Sequence, residues 1–160
     1  MDRFERLASA LRRIPGLEVR ENEPMKRHTT FRIGGPARLM ALPRSRKEAA
    51  AAVRAATEAG IAPFFLGNGS NLLVADHGYE GFVLKACGLD QVREVNRRLR
   101  AESGITLARL ANAALGRGLT GLEFAHGIPG TLGGAVVMNA GAYGGGMVQV
   151  LTAVTYLDGA

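Results

Sequence analysis

Seven glycines fall within the 24 positions from Gly121 to Gly144, and no other segment constrains the chain as strongly. Glycine inside a helix or strand costs roughly 0.5–1 kcal/mol relative to alanine, so this density marks a backbone that turns sharply or comes close to something. A flexible linker is the bland alternative. Linkers lack interleaved apolar residues, whereas Leu122, Phe124, Ile128, Leu132, Val136 and Met138 alternate with the glycines here. The segment reads as a packed backbone cradle for a flat cofactor or a pyrophosphate. Few of its side chains can do acid–base chemistry, so the reading is of binding.

A chain of 160 residues can build one ordinary domain or two small subdomains sharing a core. Its hydrophobic content of 47% against 21% charged residues is a normal globular balance. No apolar run reaches the length of about 18 residues that a membrane-crossing helix needs. The charged start, Met1-Asp2-Arg3-Phe4-Glu5-Arg6, leads into no signal-peptide core, which implies a cytoplasmic protein without membrane partners. Cys87 is the one cysteine, so an internal disulfide and a cysteine metal cluster are excluded within these residues. Beside Leu84 and Ala86 it reads as a small buried hydrophobe.

The net charge of +6 comes from arginines scattered along the chain. Their tightest group, Arg93, Arg97, Arg98 and Arg100, alternates with Val92, Val95 and Leu99, as on the solvated face of a hairpin. Nucleic-acid binding would call for a basic stripe with stacking aromatics, and aromatics make up 6%. An anionic small molecule is the partner this field favours.

Phe4, Leu7, Leu11 and Ile14 recur at helical spacing, and Pro15-Gly16 closes that helix. A polar lead-in from Glu21 to His28 precedes Thr29-Thr30-Phe31-Arg32-Ile33, expected to begin a strand, then a Gly34-Gly35-Pro36 turn. Ala37 to Leu42 is a short apolar strand. Ser45-Arg46-Lys47-Glu48 is a capping box for an alanine-rich helix running to Ala59 and closed by Gly60. Ile61 to Leu66 follows as a buried strand, so a parallel pair with a right-handed crossover is expected. Phe82 to Ala86 is a further strand, and a hairpin turns at Asn96. Thr106 caps a helix from Leu107 to about Gly116, with Leu107, Leu110, Ala111, Ala114 and Leu115 on its buried face. Thr131-Leu132-Gly133-Gly134 opens a short helix whose amides are expected to point at an anion. Val148 to Asp158 reads as a final strand.

Between two of these elements lies Gly67-Asn68-Gly69-Ser70-Asn71, with Leu72-Leu73-Val74 expected to resume a strand. A Rossmann fingerprint would need a helix and a third glycine here, and a P-loop would need Gly-Lys-Ser or Gly-Lys-Thr. Two readings remain open: a plain hairpin turn, or an anion nest of backbone amides to which Ser70 and Asn71 add donors.

Six other residues invite chemical roles. His28 opens a strand motif and His126 neighbours the cradle, but each reads first as a satisfied histidine. Asp76 and His77 lack a third ligand at metal spacing. Glu123 follows Gly121-Leu122 and is placed to brace the glycine loop, and Tyr143 reads as part of a ligand wall.

His28-Thr29-Thr30-Phe31-Arg32-Ile33-Gly34-Gly35, Leu66-Gly67-Asn68-Gly69-Ser70-Asn71, Gly127-Ile128-Pro129-Gly130-Thr131 and Met138-Asn139-Ala140-Gly141-Ala142-Tyr143-Gly144 occur in this order and spacing. Together they resemble the UDP-N-acetylenolpyruvoylglucosamine reductases, also called UDP-N-acetylmuramate dehydrogenases, from about Glu23 to Asp158. The resemblance implies an α+β fold, a two-subdomain FAD-binding domain of the vanillyl-alcohol oxidase and p-cresol methylhydroxylase type. It divides the chain into a lead-in at 1–22, a first subdomain at 23–86 and an incomplete second at 87–160. It also implies non-covalent FAD, with the pyrophosphate at Gly67, Asn68, Gly69, Ser70 and Asn71. The ribityl chain and ring would lie along Ile128, Pro129, Gly130, Gly133, Gly134 and Ala135.

The implied reaction is NADPH-dependent reduction of UDP-N-acetylglucosamine enolpyruvate, a UDP-sugar, to UDP-N-acetylmuramate, a peptidoglycan precursor. The family's catalytic arginine (in a Phe-x-Tyr-Arg-x-Ser motif), serine and glutamate would all follow the last strand. None is matched before Ala160, and Ser9, Ser45, Ser70 and Ser103 stand in other contexts. The expectation is a C-terminally truncated chain, the FAD-binding half without its substrate domain, holding no catalytic residue and no metal. A non-catalytic flavin module and a carbohydrate or alcohol oxidase are the other functions this fold would carry.

Overall fold

A computed structural model describes residues 2–157. Helix α1 (Arg3–Arg12) is capped at Asp2, whose carboxylate and that of Glu5 complete a reciprocal box. The first sheet holds β1 (Glu18–Pro24), β2 (Pro36–Leu42), β3 (Pro63–Leu66) and β4 (Tyr79–Lys85) in the spatial order β1-β2-β4-β3. β1 is antiparallel to β2, while β2 and β3 both run parallel to β4. Helix α2 (Arg46–Glu58) joins β2 to β3 and packs with α1 over the sheet. That core contains Phe4, Leu7, Leu11, Leu39, Ala52, Ala56, Phe82 and Leu84. Ser45 Oγ accepts from the Glu48 amide at 3.2 Å, and Glu48 returns to the Arg44 amide at 2.8 Å. The expected box forms, shifted by one donor.

The second half begins with the hairpin of β5 (Val92–Val95) and β6 (Arg98–Ala101). Asn96 and Arg97 take φ of +50° and +57°, the two positive values a tight twisted turn requires. Helix α3 (Leu107–Leu115) is capped by Thr106. Helix α4 (Leu132–Val137), the two-residue ribbon β7 (Gly141–Ala142) with β8 (Gly145–Gly146), and α5 (Met147–Val150) follow. Leu107, Phe124, Ala125, Ala135 and Met147 form their shared core.

Several expectations are corrected. Residues 18–24, assigned in part to a polar lead-in, form β1, and residues 29–33 form a turn and loop instead of a strand. The parallel pair inferred around α2 is interrupted, because β4 inserts between β2 and β3. β3 is consequently an edge strand, which leaves Phe64 at 38% and Phe65 at 60% exposure where burial was expected. Leu72 to Val74 forms no strand. β3 and β4 are parallel, so residues 67–78 must carry the chain back along the sheet, a crossover of about the minimum length such a connection needs. Leu72 and Val74 pack their side chains on the Met25, Met40 and Val83 cluster while their backbone stays unpaired. Leu115, at the end of α3, is exposed instead of buried. Val148 to Val150 lie in α5, and residues 151–157 are exposed without regular structure, since no described strand lies beside them to pair with. Asp158 lies outside the described residues.

Candidate functional site

The crossover from β3 to β4 sets Gly67–Asn71 at the carboxyl end of a parallel strand, where open parallel sheets place their ligand crevices. Gly69 has φ +65°, and a Cβ there would stand 2.0 Å from the His28 carbonyl oxygen. The Thr30 amide donates to the Gly69 carbonyl at 3.2 Å. Gly69 is thus buried against residues 28–30, while Asn68 and Asn71 on either side of it are exposed.

The second glycine-rich segment meets this loop directly. Ser70 Oγ donates to the Pro129 carbonyl at 3.1 Å, and a Cβ on Gly130 would lie 3.1 Å from Ser70 Oγ. Gly67 packs so closely on Thr131 that a Cβ would come within 2.3 Å of Thr131 Oγ1. Fifty-nine positions apart in sequence, the two segments form one seam. The Ser70 hydroxyl proton expected to serve the nest is engaged within the seam, which leaves the Asn68 and Asn71 amides as the exposed side-chain donors of the loop.

Downstream, residues 130–133 are clipped to the loop before α3. Leu107 N–H donates to Gly130 O at 3.1 Å, Leu132 N–H to Ile105 O at 2.8 Å, and Gly133 N–H to Ser103 O at 2.7 Å. The expectation of first-turn amides aimed at an anion is corrected on this point, because Leu132 and Gly133 already have protein acceptors. Gly133 is also the only residue that fits, since a Cβ would meet Ser103 Cβ at 2.8 Å. Gly134 differs: it is exposed, and a Cβ would meet only Thr131 Oγ1 at 3.6 Å. Ile128 and Ala135 turn inward onto the Phe124 core. The residues present fit an extended phosphate-bearing ligand, because an open glycine backbone at Gly134 continues from a seam edged by Asn68 and Asn71.

A separate cavity of about 390 Å³ is lined by Gly121, Glu123, Phe124, Tyr143, Gly145 and Gln149, and none of residues 128–135 contributes to it. Glu123 braces the glycine segment as expected, accepting from the Gly121 amide at 2.8 Å. Tyr143 is 97% exposed at φ +53°. His126, Asp76 and His77 are exposed, and Cys87 is half-buried, with burial pushing its thiol up against the opposing Lys85 charge.

Sequence reasoning missed one cluster. Glu23 Oε1 lies 2.8 Å from His28 Nε2 and 3.0 Å from an Arg20 guanidinium nitrogen, and Lys85 Nζ lies 2.8 Å from His28 Nδ1. Its members come from β1, from the loop after β1 and from β4, and no spacing in the sequence announces that union.

The fold is the α+β FAD-binding type that the family resemblance implied. The FAD binding domain family matches residues 37–160, well over half of the chain, and the chain belongs to that family. It is 52% identical over 137 residues to the UDP-N-acetylenolpyruvoylglucosamine reductase of Caldanaerobacter subterraneus subsp. tengcongensis, covering 86% of this chain and 45% of that protein. Among solved structures, the UDP-N-acetylenolpyruvylglucosamine reductase of Thermus caldophilus superposes with a TM-score of 0.65 at 37% identity, over 82% of this chain and 45% of that one. Aclacinomycin oxidoreductase shares the fold, with a TM-score of 0.59 at 20% identity over 78% of this chain and 27% of its own. The chain spans about half the length of the curated relatives it matches.

Proposed function

We propose that this chain holds FAD non-covalently along the seam between Gly67–Asn71 and Gly130–Ala135, as the flavin-binding part of a UDP-N-acetylenolpyruvoylglucosamine reductase. The Ser70–Pro129 bond carries this reading, because it holds the two glycine-rich segments against each other. Bound there, FAD would supply hydride relay from NADPH to the enolpyruvyl double bond of the UDP-sugar, a step in peptidoglycan precursor synthesis.

This chain's own residues bind and orient. The buried Gly69 backbone fixes the loop, Asn68 and Asn71 offer exposed amides to phosphate oxygens, and Gly134 lets the ligand approach the main chain. The seam spans the proposed division into subdomains at 23–86 and 87–160, so the flavin would lie between them. We assign neither the proton that completes the reduction nor the grip on the UDP moiety to residues of this seam; the longer relatives carry further length that these 160 residues do not match. NADPH and a UDP-sugar as reactants imply a cytoplasmic setting.

Flavin titration of the purified 160-residue chain tests the reading. Quenched FAD fluorescence, with the flavin freed by denaturation, is the expected result. A well-folded chain that leaves FAD fluorescence unchanged overturns it.

A further inference from the structure

Beneath the Gly67–Asn71 loop, a buried polar cluster joins strands that do not touch in the sheet. β2 lies between β1 and β4, yet Glu23 of β1 and Lys85 of β4 meet on opposite sides of one imidazole. His28 and Glu23 are 8% and 7% exposed. The charged groups facing this ring are Glu23, with Arg20 and Arg27 around it at 3.0 and 4.0 Å, and Lys85 on the far side. An ammonium has donors only. Nδ1 must therefore accept from Lys85, and the ring proton sits on Nε2, where it donates to Glu23. The two neighbours fix the tautomer as well as the ring plane.

The backbone of the same residue supports the loop. The His28 carbonyl stands where a Gly69 side chain would begin, and two residues on, the Thr30 amide holds the Gly69 carbonyl. Residues 29–33 form no helix or strand. A turn that short has little regular hydrogen bonding of its own to resist displacement, so its anchor determines where it sits.

We propose that His28 is a positioning residue for the cofactor loop: clamped between Glu23 and Lys85, it fixes residues 28–30 and through them the Gly69 backbone. The inference rests on the assignment of Gly67–Asn71 to FAD made above. His28 touches no ligand in this role. It acts through Gly69, and the clamp ties loop geometry to a charge pattern set by two non-adjacent strands.

Lys85→Met removes the donor to Nδ1 at a half-buried position outside the loop, and Lys85→Arg keeps a donor there. The expected result is a rise of about tenfold in the FAD dissociation constant for Lys85→Met, the scale of one charge-assisted hydrogen bond, with recovery in Lys85→Arg. Amide hydrogen exchange reads the loop without cofactor. Thr30 and residues 68–71 should exchange faster in Lys85→Met than in the parent and recover in Lys85→Arg, while α2 stays protected in all three. Exchange at Thr30 and 68–71 that matches the parent in Lys85→Met overturns the proposal. If the parent takes up no FAD, the cofactor assignment fails, and the exchange comparison still decides the clamp.

Discussion

The Ser70 hydroxyl donates to the Pro129 carbonyl at 3.1 Å, and this contact links the β3–β4 crossover to the segment that opens α4. It is a side chain reaching to backbone, so it joins the two segments without requiring that either be regular. Ser70→Ala removes the donor and leaves a carbonyl that water can reach, since Pro129 is exposed. The fold should survive with a loss of about 1 kcal/mol or less, the net value of a neutral hydrogen bond. FAD affinity should fall severalfold, because the two halves of the seam are no longer held together. Isothermal titration measures this, and parent-like affinity would show that Ser70 does not bridge the cofactor site.

Gly69 and Gly118 have nearly the same φ, +65° and +62°, in different surroundings. A Cβ at Gly118 meets nothing within 4 Å, whereas at Gly69 it would lie 2.0 Å from the His28 carbonyl. Gly118→Ala should therefore cost about 1–2 kcal/mol for left-handed backbone alone. Gly69→Ala should cost distinctly more, and Gly69→Val should also abolish FAD binding by displacing the loop. Asn71→Ala makes the complementary test: its exposed side chain should leave stability unchanged and weaken FAD by roughly 1–3 kcal/mol. Chemical denaturation of the glycine pair gives the comparison, and equal losses at both sites would contradict the packing at Gly69.

Elements whose ends are written in local chemistry were legible in the sequence. Ser45 and Thr106 cap helices where a side-chain oxygen can reach a free amide, and Asn96 sits in a tight turn that tolerates positive φ. β1 was hidden because Glu18, Arg20, Glu21 and Glu23 make a strand that reads as polar connection. Leu72 to Val74 misled in the opposite direction: three apolar residues announce burial but not backbone pairing. Both glycine-rich loops were visible, each from its own composition. Their contact was not, and neither was the Glu23–His28–Lys85 cluster, because long-range pairing across 59 and 57 positions leaves no periodic trace.

The hairpin carries an unfavourable pair. Arg93 and Arg100 stand directly opposite each other across β5 and β6, with Arg98 on the same face. Like charges placed so are destabilising. Arg100→Glu should raise stability by roughly 0.2–1 kcal/mol, an effect that fades with added salt. Melting temperatures at low and high ionic strength check this. A loss of stability at low salt would mean that the arginines are not repelling one another in the folded chain.

The buried cluster predicts how stability responds to acid. Burial and the Lys85 charge push His28 below the ordinary histidine value, with Glu23 opposing. In the interval between that lowered value and about 6.5, the unfolded chain binds more protons at this site than the folded one, so stability rises with pH. The contribution is complete above about 6.5 and is lost as pH falls toward the folded value. For Glu23, burial pushes the carboxyl up, but hydrogen bonds from His28 and Arg20 and the Arg20 charge outweigh it, leaving it below the ordinary glutamate value. Its contribution is present above that ordinary value and disappears as pH falls further, so the two losses follow one another. Urea denaturation from pH 7.5 to 4 should show stability declining first below about 6.5 and again below about 4.5. Lys85→Met removes a cation from Nδ1, so His28 should become easier to protonate when folded and the first decline should shrink. A first decline of equal size in Lys85→Met and parent would place its origin at another group.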